Sequence, residues 1–261
     1  MVTGAGSGIG RALAAALARE GARLVLADVD EAGLQGTHAD LVAQNADALV
    51  VPTDVRDRAQ VHALADRARD AFGAVHVLCN NAGVAAWGGL ETATVRDWQW
   101  VLGVNLWGVI HGVEAFVPRM IESGQPGHVV NTASMAGLVA TRGLGVYNTS
   151  KYAVVGLSET LAKDLKPYRI GVTVLCPMGV NTRIRASERN RPPALRNAET
   201  SAAEPVELMG RTLAPETVAA MTVAAIREDR LYVITHDEGL EPLRRRFERL
   251  EQAILDRKRP G

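Results

Sequence analysis

Short apolar runs alternate along this chain with longer segments of helical periodicity, and this alternation restricts the possible folds to a few. The apolar runs predict strands over residues 23–28, 48–51, 75–80, 128–132, 171–176 and 231–235. The segments between them predict helices over residues 9–20, 31–44, 57–72, 92–122, 146–166 and 215–228. We therefore predict a single α/β domain over residues 1–261, built as a doubly wound parallel sheet of about seven strands with helices on both faces.

Composition excludes several classes of function. Of the 261 residues 47% are hydrophobic, enough for one substantial core. Lys plus Arg and Asp plus Glu each number 29, so no net charge attracts nucleic acid or an anionic membrane. We find no apolar stretch of 18 or more residues and no targeting segment, and we expect a soluble, cytoplasmic protein. Cys79 and Cys176 lie in predicted strands, and the six histidines lack ligand spacing, so we predict neither a disulfide nor a metal site.

Three segments depart from the regular alternation. Residues 183–209 are rich in Arg, Glu, Asn and Pro without a clear period, and we predict a mobile lid over the substrate. Residues 241–259 carry apolar side chains at three- and four-residue spacing, which predicts an amphipathic helix with a solvated charged face. Only three residues precede the glycine turn that opens at Gly4, so we expect either a shortened first strand or a strand that starts before this numbering.

A glycine-rich run, Thr-Gly-Ala-Gly-Ser-Gly-Ile-Gly over residues 3–10, opens the first predicted helix. Such glycines allow a tight turn and a close approach of the backbone to a pyrophosphate, whose charge the helix N-terminus stabilises. No Lys-Ser or Lys-Thr pair follows, which argues against a Walker phosphate loop. The alternative is a flexible turn without a ligand. The residues predicted to contact a dinucleotide here are Gly4, Ser7, Gly8, Ile9 and Gly10.

Asp28 ends the second predicted strand about 20 residues after the glycine run. A carboxylate at this place accepts hydrogen bonds from both ribose hydroxyls of NAD and repels the 2′-phosphate of NADP. Ser7 adds no positive charge to the turn, so we predict NAD as the cofactor, with NADP less favoured. The alternative for Asp28 is a helix cap next to Asp30.

A serine, a tyrosine and a lysine supply candidate acid–base chemistry. Tyr147 and Lys151 are four residues apart on a predicted helix, so both lie on one face, roughly 6 Å apart along the axis. At an effective dielectric constant near 20, an ammonium at ~6 Å stabilises the phenolate by about 2.8 kcal/mol, which predicts a lowered tyrosine pKa. Ser134, thirteen residues before the tyrosine, supplies a hydroxyl to orient a reacting oxygen. On its own, the pair is more often a surface tyrosine and lysine.

Taken with further motifs, the chain resembles the short-chain dehydrogenases/reductases over nearly its whole length. The glycine run is similar to that family's T-G-x-x-x-G-x-G, residues 80–83 to its N-N-A-G, and residues 105–108 to its N-x-x-G. Ser134, Tyr147 and Lys151 have the family's order and spacing, and Asp54 follows the third strand where the family contacts adenine. This resemblance implies a Rossmann-like fold and an oxidoreductase that uses NAD or NADP.

The resemblance also implies a role for each matching residue. Tyr147 would be the catalytic acid/base, Ser134 would hold the reacting oxygen, and Lys151 would lower the tyrosine pKa and bind the nicotinamide ribose. Asn105 would support a proton relay through water, and Asn80 would help to shape the floor beside the cofactor. Cofactor contacts are implied for Asp54, Val55, Asn81, Ala82, Gly83, Tyr147, Lys151, Pro177, Gly179, Val180 and Thr182.

One position departs from the family's pattern. Residues 177–182 read Pro-Met-Gly-Val-Asn-Thr, so Met178 replaces the glycine that usually follows the proline. If this position requires a positive φ, Met178 is strained by about 1 to 3 kcal/mol; otherwise its thioether lines the pocket. The roles of Val180 and Thr182 depend on this outcome.

These residues predict an NAD-dependent enzyme that interconverts a secondary alcohol and a ketone. Met135, Leu138, Trp87 and Met178 suggest an apolar cleft and a hydrophobic substrate; Trp87 has packing as its alternative role. An NADPH-dependent carbonyl reductase and a catalytically silent dinucleotide sensor are the competing hypotheses. Apolar faces on the helices over 92–122 and 146–166, with the resemblance, imply a homodimer or homotetramer.

Overall fold

The computed structural model describes residues 1–197, 206 and 210–257. In this part of the chain seven parallel strands form one sheet in the order β3-β2-β1-β4-β5-β6-β7, which confirms the doubly wound prediction. The strands are β1 Val2–Thr3, β2 Leu24–Asp28, β3 Ala48–Pro52, β4 Val77–Asn80, β5 Gly127–Thr132, β6 Ile170–Cys176 and β7 Tyr232–Ile234. All six internal runs predicted as strands are found, within two residues at each end.

The helices cover both faces of the sheet. They are α1 Gly8–Arg19, α2 Glu31–Val42, α3 Arg58–Phe72, α4 Val95–Leu102, α5 Gly108–Ser123, α6 Gly145–Leu165, α7 Pro215–Arg227 and α8 Leu240–Asp256. Their starts follow local capping chemistry: the Asp57 carboxylate accepts from two N–H groups of α3, and Thr94 forms a capping box with Asp97 at the start of α4. A π-helical turn, Gly103–Trp107, joins α4 to α5, so the helix predicted over 92–122 is one rod with a widened centre.

Two apolar layers enclose the sheet. On one face α1 and α7 pack together, with Leu13 and Val223 in the same buried cluster. On the other face α3 and α5 contribute Leu64 and Phe116. Strands covered on both faces explain why the apolar runs show no alternation. Cys79 and Cys176 are buried free thiols, as predicted.

The first strand is short, as predicted. Val2 and Thr3 pair with Leu26 and Ala27 of β2, and Val2 also pairs with Cys79 of β4. The strand order reverses at β1, so the loops that follow β1 and β4 separate to opposite sides at their carboxyl ends. In open α/β sheets this reversal is where ligands bind.

The rod formed by α4, the π-helical turn and α5 is more apolar than the sequence analysis expected, whereas α8 has the predicted amphipathic character. The rod Val95–Ser123 is long and apolar enough to cross a membrane by composition alone, contrary to the expectation that no such stretch exists, but 56% of its most apolar window is buried in the protein. Such burial is typical of a core helix. The last helix, α8, is amphipathic as predicted, and Phe247, Leu250 and Ile254 on its apolar side are 49–61% exposed. Residues 258–259 of the predicted helix lie outside the described residues.

Candidate active site

The glycine turn between β1 and α1 has a backbone that only glycine adopts readily. Gly4 and Gly8 have positive φ values of +66° and +52°. At Gly10 the limit is space, because a Cβ atom there would lie 2.0 Å from the Gly4 carbonyl oxygen. The turn therefore brings bare backbone to the N-terminus of α1, which is the arrangement that a pyrophosphate requires.

Asp28 lies beside this turn with its carboxylate already oriented. Its Oδ2 accepts from the Gly6 N–H at 2.9 Å, and its Oδ1 accepts from the Asp30 N–H at 3.0 Å. The cap of α2 is Asp30, whose Oδ1 accepts from the Gly33 N–H at 3.0 Å. The helix-cap alternative for Asp28 is therefore wrong, and its carboxylate faces the cavity described next.

A cavity of about 340 Å³, here called the main cavity, runs along the carboxyl ends of the central strands. Most of the residues predicted to contact a dinucleotide line it: Gly4, Ser7, Gly8, Ile9, Asp28, Asp54, Val55, Asn81, Ala82, Gly83, Tyr147, Lys151, Pro177, Val180 and Thr182. Gly10 and Gly179, which were also predicted to contact the dinucleotide, do not line it. Asn80 does not line it either, because its amide donates to Asn131 Oδ1 at 2.9 Å inside the core.

Asp54, which also lines the main cavity, is held by a neighbouring arginine. The Arg56 guanidinium donates to Asp54 in a bidentate arrangement, with Nε 3.0 Å from Oδ1 and Nη2 2.5 Å from Oδ2. Both side chains are about three-quarters buried. This pairing fixes the orientation of the Asp54 carboxylate at the position where the resemblance implies an adenine contact.

Ser134, Tyr147 and Lys151 all line the main cavity. Ser134 follows β5, and its Oγ donates to the Pro177 carbonyl at 3.2 Å and accepts from the Ala136 N–H at 3.1 Å. Lys151, 3% exposed, lies one turn after Tyr147 on α6 with its Nζ 5.6 Å from the centre of the tyrosine ring. The ammonium donates to the Thr132 carbonyl at 2.8 Å. The structure thus brings the predicted acid–base residues together.

The predicted lowering of the Tyr147 pKa is wrong for this structure. Burial of the hydroxyl raises the pKa of Tyr147, and this outweighs the hydrogen bond with Ser134, which lowers it. Burial also lowers the pKa of Lys151 to about 8. Helical spacing indicates only the attraction to the lysine charge, whereas burial adds the cost of desolvating both groups, and this cost decides the direction of the pKa shift.

Asn105 lies in the π-helical turn and is fully buried. Its side chain accepts from the Val84 N–H at 2.8 Å and donates to the Val84 carbonyl at 2.9 Å and to Ser150 Oγ at 3.0 Å. These bonds tie the loop after β4 to α6 at Ser150, three residues after the tyrosine and next to the lysine. The Asn105 side chain is thus committed to holding the framework of the site, and its predicted part in a proton relay remains untested.

A second cavity of about 100 Å³, the apolar cavity, opens on the other side of the acid–base residues. Ser134 and Tyr147 line both cavities. Trp87 and Met178 also line the apolar cavity, and Leu138, expected in the cleft, does not. The full lining is Ala85, Trp87, Ser134, Met135, Ala136, Val139, Thr141, Leu144, Tyr147, Met178, Ile184, Gly239 and Pro242.

Met178 is accommodated without backbone strain. Among the described residues, positive φ values outside glycine occur only at Asn45, Arg169 and Asp229. The Met178 sulfur instead packs toward Gly239, where a Cβ atom would lie 3.6 Å from it. The alternative that the thioether lines the pocket is therefore the correct one.

Residues 183–197, here called the cover segment, follow β6 in the chain and contribute several side chains to the wall of the main cavity. Ile184 and Ser187 line the cavity, and neither was a sequence candidate, because a segment without a period gives no signal of which side chains face inward. Ser187 Oγ accepts from the Ala85 N–H at 3.1 Å. Arg183 reaches back to Asp30, with Nη1 3.6 Å from Oδ2. The rest of the predicted lid, residues 198–205 and 207–209, lies outside the described residues.

Comparisons with known proteins agree with this geometry. A family model described as short chain dehydrogenase matches residues 1–193. The C alpha-dehydrogenase of Sphingobium sp. is 34% identical over 261 residues, covering 98% of this chain and 84% of that protein. The 1-deoxy-11-beta-hydroxypentalenate dehydrogenase of Streptomyces avermitilis is 37% identical over 241 residues, covering 92% and 84%.

A solved structure is also similar. The crystal structure of a short-chain dehydrogenase/reductase from Burkholderia phymatum in complex with NAD superposes with a TM-score of 0.91, at 45% identity, over 97% of this chain and 93% of that chain. The family match is consistent with the seven-stranded parallel sheet and with the glycine turn between β1 and α1. The chain belongs to the short-chain dehydrogenase/reductase family of oxidoreductases.

Proposed function

We propose that this protein is an NAD-dependent dehydrogenase that interconverts a hydrophobic secondary alcohol and its ketone. The single observation that carries the proposal is the position of Ser134 and Tyr147 on the wall shared by the main cavity and the apolar cavity. A dinucleotide in one cavity and a carbon substrate in the other would meet at these two hydroxyls. The NAD-bound relative from Burkholderia phymatum supports the choice of cofactor.

The residues around the main cavity fit a dinucleotide. Cβ atoms at Gly4, Gly8 and Gly10 would press on neighbouring protein atoms, so the glycines keep the tight turn that presents its backbone to a pyrophosphate. The Asp28 carboxylate, held by two N–H groups, is placed to accept from ribose hydroxyls. Its negative charge disfavours a 2′-phosphate, so NAD is preferred to NADP.

Two hydroxyls and one ammonium carry out the acid–base chemistry. A bound NAD would supply the acceptor for the hydride of the alcohol's carbinol carbon. Tyr147 takes the proton from the substrate hydroxyl during oxidation and returns it during ketone reduction. The Ser134 hydroxyl holds the reacting oxygen, and Lys151 offers its remaining N–H donors to the main cavity. Because the pKa of Tyr147 is raised, the neutral phenol is set up as the acid for reduction, and alcohol oxidation gains rate as pH rises.

The apolar cavity supports a substrate class. Its wall is formed by Trp87, Met135, Val139, Leu144 and Met178, and no Asp, Glu, Lys or Arg is among its lining residues in the described part of the chain. A charged substrate would lose its hydration there without gaining a partner. We therefore infer an uncharged alcohol with an aliphatic or aromatic group beside the carbinol carbon.

A screen for NADH formation and consumption tests the proposal. Purified protein is incubated with a panel of secondary alcohols and NAD, and with the matching ketones and NADH, and each assay is repeated with NADP or NADPH. We expect turnover of apolar members with NAD. A strong preference for NADPH would favour the carbonyl reductase hypothesis and refute the role of Asp28. Tight NADH binding without turnover of any substrate would favour a catalytically silent sensor.

We also propose that the protein assembles as a homodimer or homotetramer. Trp107 and Val95, on the rod formed by α4 and α5, are 53% and 70% exposed. Apolar side chains on a helix face of this kind are typical of subunit contacts. Light scattering is expected to give a mass of two or four chains, and a monomer at micromolar concentration would contradict the proposal.

A further inference from the structure

The cover segment is fixed to α4 by a buried ion pair. The Arg191 side chain is 3% exposed, and its Nη2 lies 2.6 Å from Asp97 Oδ1, whose side chain is 11% exposed. Arg191 thereby joins two elements that are 94 residues apart in the sequence. A charge so far removed from water needs a close partner, so this contact is specific.

Arg191 is held on several sides. Its Nε donates to the Leu195 carbonyl at 2.7 Å, and its Nη1 donates to Glu188 Oε1 at 3.0 Å. The guanidinium also stacks over Trp100, with its central carbon 4.8 Å from the ring centre. These contacts fold the cover segment around its own arginine and seat the arginine on α4.

Asp97 is equally constrained. It closes the capping box of α4, where its Oδ2 accepts from the Thr94 N–H at 2.8 Å. Its Oδ1 receives the amide of Asn197 at 3.1 Å in addition to the arginine. Arg191 and Asn197 of the cover segment thus both donate to the Asp97 carboxylate. Burial raises the pKa of Asp97, but the hydrogen bonds from Thr94, Arg191 and Asn197 outweigh it and hold the pKa below its ordinary value.

The anchored part of the cover segment reaches both the cavity and the tyrosine helix. Before Arg191 the segment places Ile184 and Ser187 on the cavity wall, and Pro192 lines the wall directly after the arginine. Leu195 packs against a buried cluster that includes Val146, the residue before the catalytic tyrosine candidate. The ion pair therefore lies where movement of the cover segment would change the shape of the site.

We propose that Arg191 is a positioning residue, which through Asp97 holds the cover segment over the main cavity in the arrangement that retains the dinucleotide and orients the substrate. The inference rests on the proposed function and adds to it a residue that does not touch the reacting atoms. If the pair is broken, the stranded carboxylate attracts water and the cover segment spends more time open. The apparent affinity for NADH then falls in proportion to the fraction of molecules in which the cover segment is closed.

The test compares Arg191→Met with a matched control on the same segment. Methionine keeps an unbranched apolar stem beside Trp100 and removes the charge. The control is Arg196→Met, the same replacement at an exposed side chain that does not line either cavity. Three quantities are measured for each protein: the dissociation constant of NADH by fluorescence, the rate of tryptic cleavage within residues 183–197, and kcat and KM with an active alcohol.

For Arg191→Met we expect the NADH dissociation constant and the KM values to rise by about tenfold or more, with kcat within about threefold of wild type, because saturation closes the cover. Tryptic cleavage in the cover segment should accelerate, and added NADH should slow it. The NADH affinity and cleavage rate of Arg191→Lys should lie between those of wild type and Arg191→Met, because lysine keeps the charge but loses the planar guanidinium. Arg196→Met should match wild type in NADH affinity, in kcat and KM, and in the rate of cleavage after Arg183, Arg185 and Arg189, because it removes only its own cleavage site.

A second variant separates positioning from folding. Asp97→Asn keeps an oxygen for the Thr94 N–H and removes the charge, so it should weaken NADH binding as Arg191→Met does. The double variant should bind NADH as tightly as the single variant with the lower NADH affinity, because both substitutions break the same contact. Wild-type NADH affinity and wild-type cleavage in a folded Arg191→Met or Asp97→Asn protein would overturn the inference. NADH titration and proteolysis need no alcohol, so a wild-type protein that binds NADH without turnover refutes the proposed function alone.

Discussion

Replacing Gly10 with alanine tests the glycine turn, because the structure sets the size of the disturbance. The added Cβ atom would lie 2.0 Å from the Gly4 carbonyl oxygen and 2.6 Å from the Asn81 side-chain nitrogen. Contacts of this kind are essentially never shorter than 3.0 Å, so backbone on one side must move by about 1 Å. The carbonyl that moves belongs to the turn that faces the pyrophosphate. A misplacement of ~1 Å at a binding constellation costs about 100-fold, or about 2.8 kcal/mol.

The assay is a fluorescence titration of NADH, accompanied by urea unfolding of the free protein. The matched control is Gly36→Ala in the middle of α2, where a Cβ atom would find nothing within 4 Å. Alanine is the better helix former, so the control should unfold with a free energy about 0.5 to 1 kcal/mol higher and bind NADH like wild type. Gly10→Ala gains the same propensity and still should bind NADH about 100-fold more weakly.

Two results would refute this reasoning. If folded Gly10→Ala binds NADH within about threefold of wild type, the close contact does not transmit to the ligand site, and the cofactor lies elsewhere. If Gly36→Ala loses affinity to the same extent, alanine substitution acts through helix stability instead of through the shape of the turn.

Two further predictions follow from groups in the main cavity. Asp28→Asn should raise the NADH dissociation constant about tenfold or more, because hydrogen bonds to a charged acceptor are worth about 1.5 to 3 kcal/mol. It should also reduce the preference for NADH over NADPH. Parallel titrations with both cofactors measure this preference, and an unchanged ratio of the two dissociation constants would contradict the role of Asp28. Burial lowers the pKa of Lys151 to about 8, so above that pH the unfolded chain binds more protons than the folded one. The unfolding free energy of the wild type should therefore rise by about 2 kcal/mol from pH 8 to pH 10, measured relative to Lys151→Met. Urea unfolding of both proteins at the two pH values measures this, and a difference that stays constant or falls would show that the buried ammonium keeps its ordinary pKa.

The fold followed from the sequence because its signals are local and repeated. Each internal strand is a short apolar run, and each predicted helix carries its own period, so errors were confined to ends of one or two residues for the strands. The π-helical turn at Gly103–Trp107 had no such signal, since its local sequence is as compatible with an ordinary helix. Residue spacing also brought Ser134, Tyr147 and Lys151 together correctly.

The remaining features depend on contacts between distant segments. The direction of the Tyr147 pKa shift follows from burial by elements far away in the chain, which a spacing of four residues does not reveal. The ion pair between Arg191 and Asp97 joins the irregular cover segment to the N-terminal cap of α4. The local sequence around either residue gives no indication of this contact. Asn80 and Asn81 are adjacent in one motif, yet only Asn81 faces the main cavity, because successive residues at a strand end point to opposite sides.

The most direct test of the account is the Tyr147→Phe protein, assayed for NADH binding and for turnover of the best substrate found in the screen. The phenylalanine keeps the ring that packs at the cavity wall and removes only the hydroxyl. We predict that kcat/KM falls by about 10²- to 10⁴-fold, the usual contribution of a positioned acid–base group, while the NADH dissociation constant stays within about threefold of wild type. Turnover near the wild-type rate in a protein that binds NADH normally would contradict the assignment of Tyr147 as the acid–base residue.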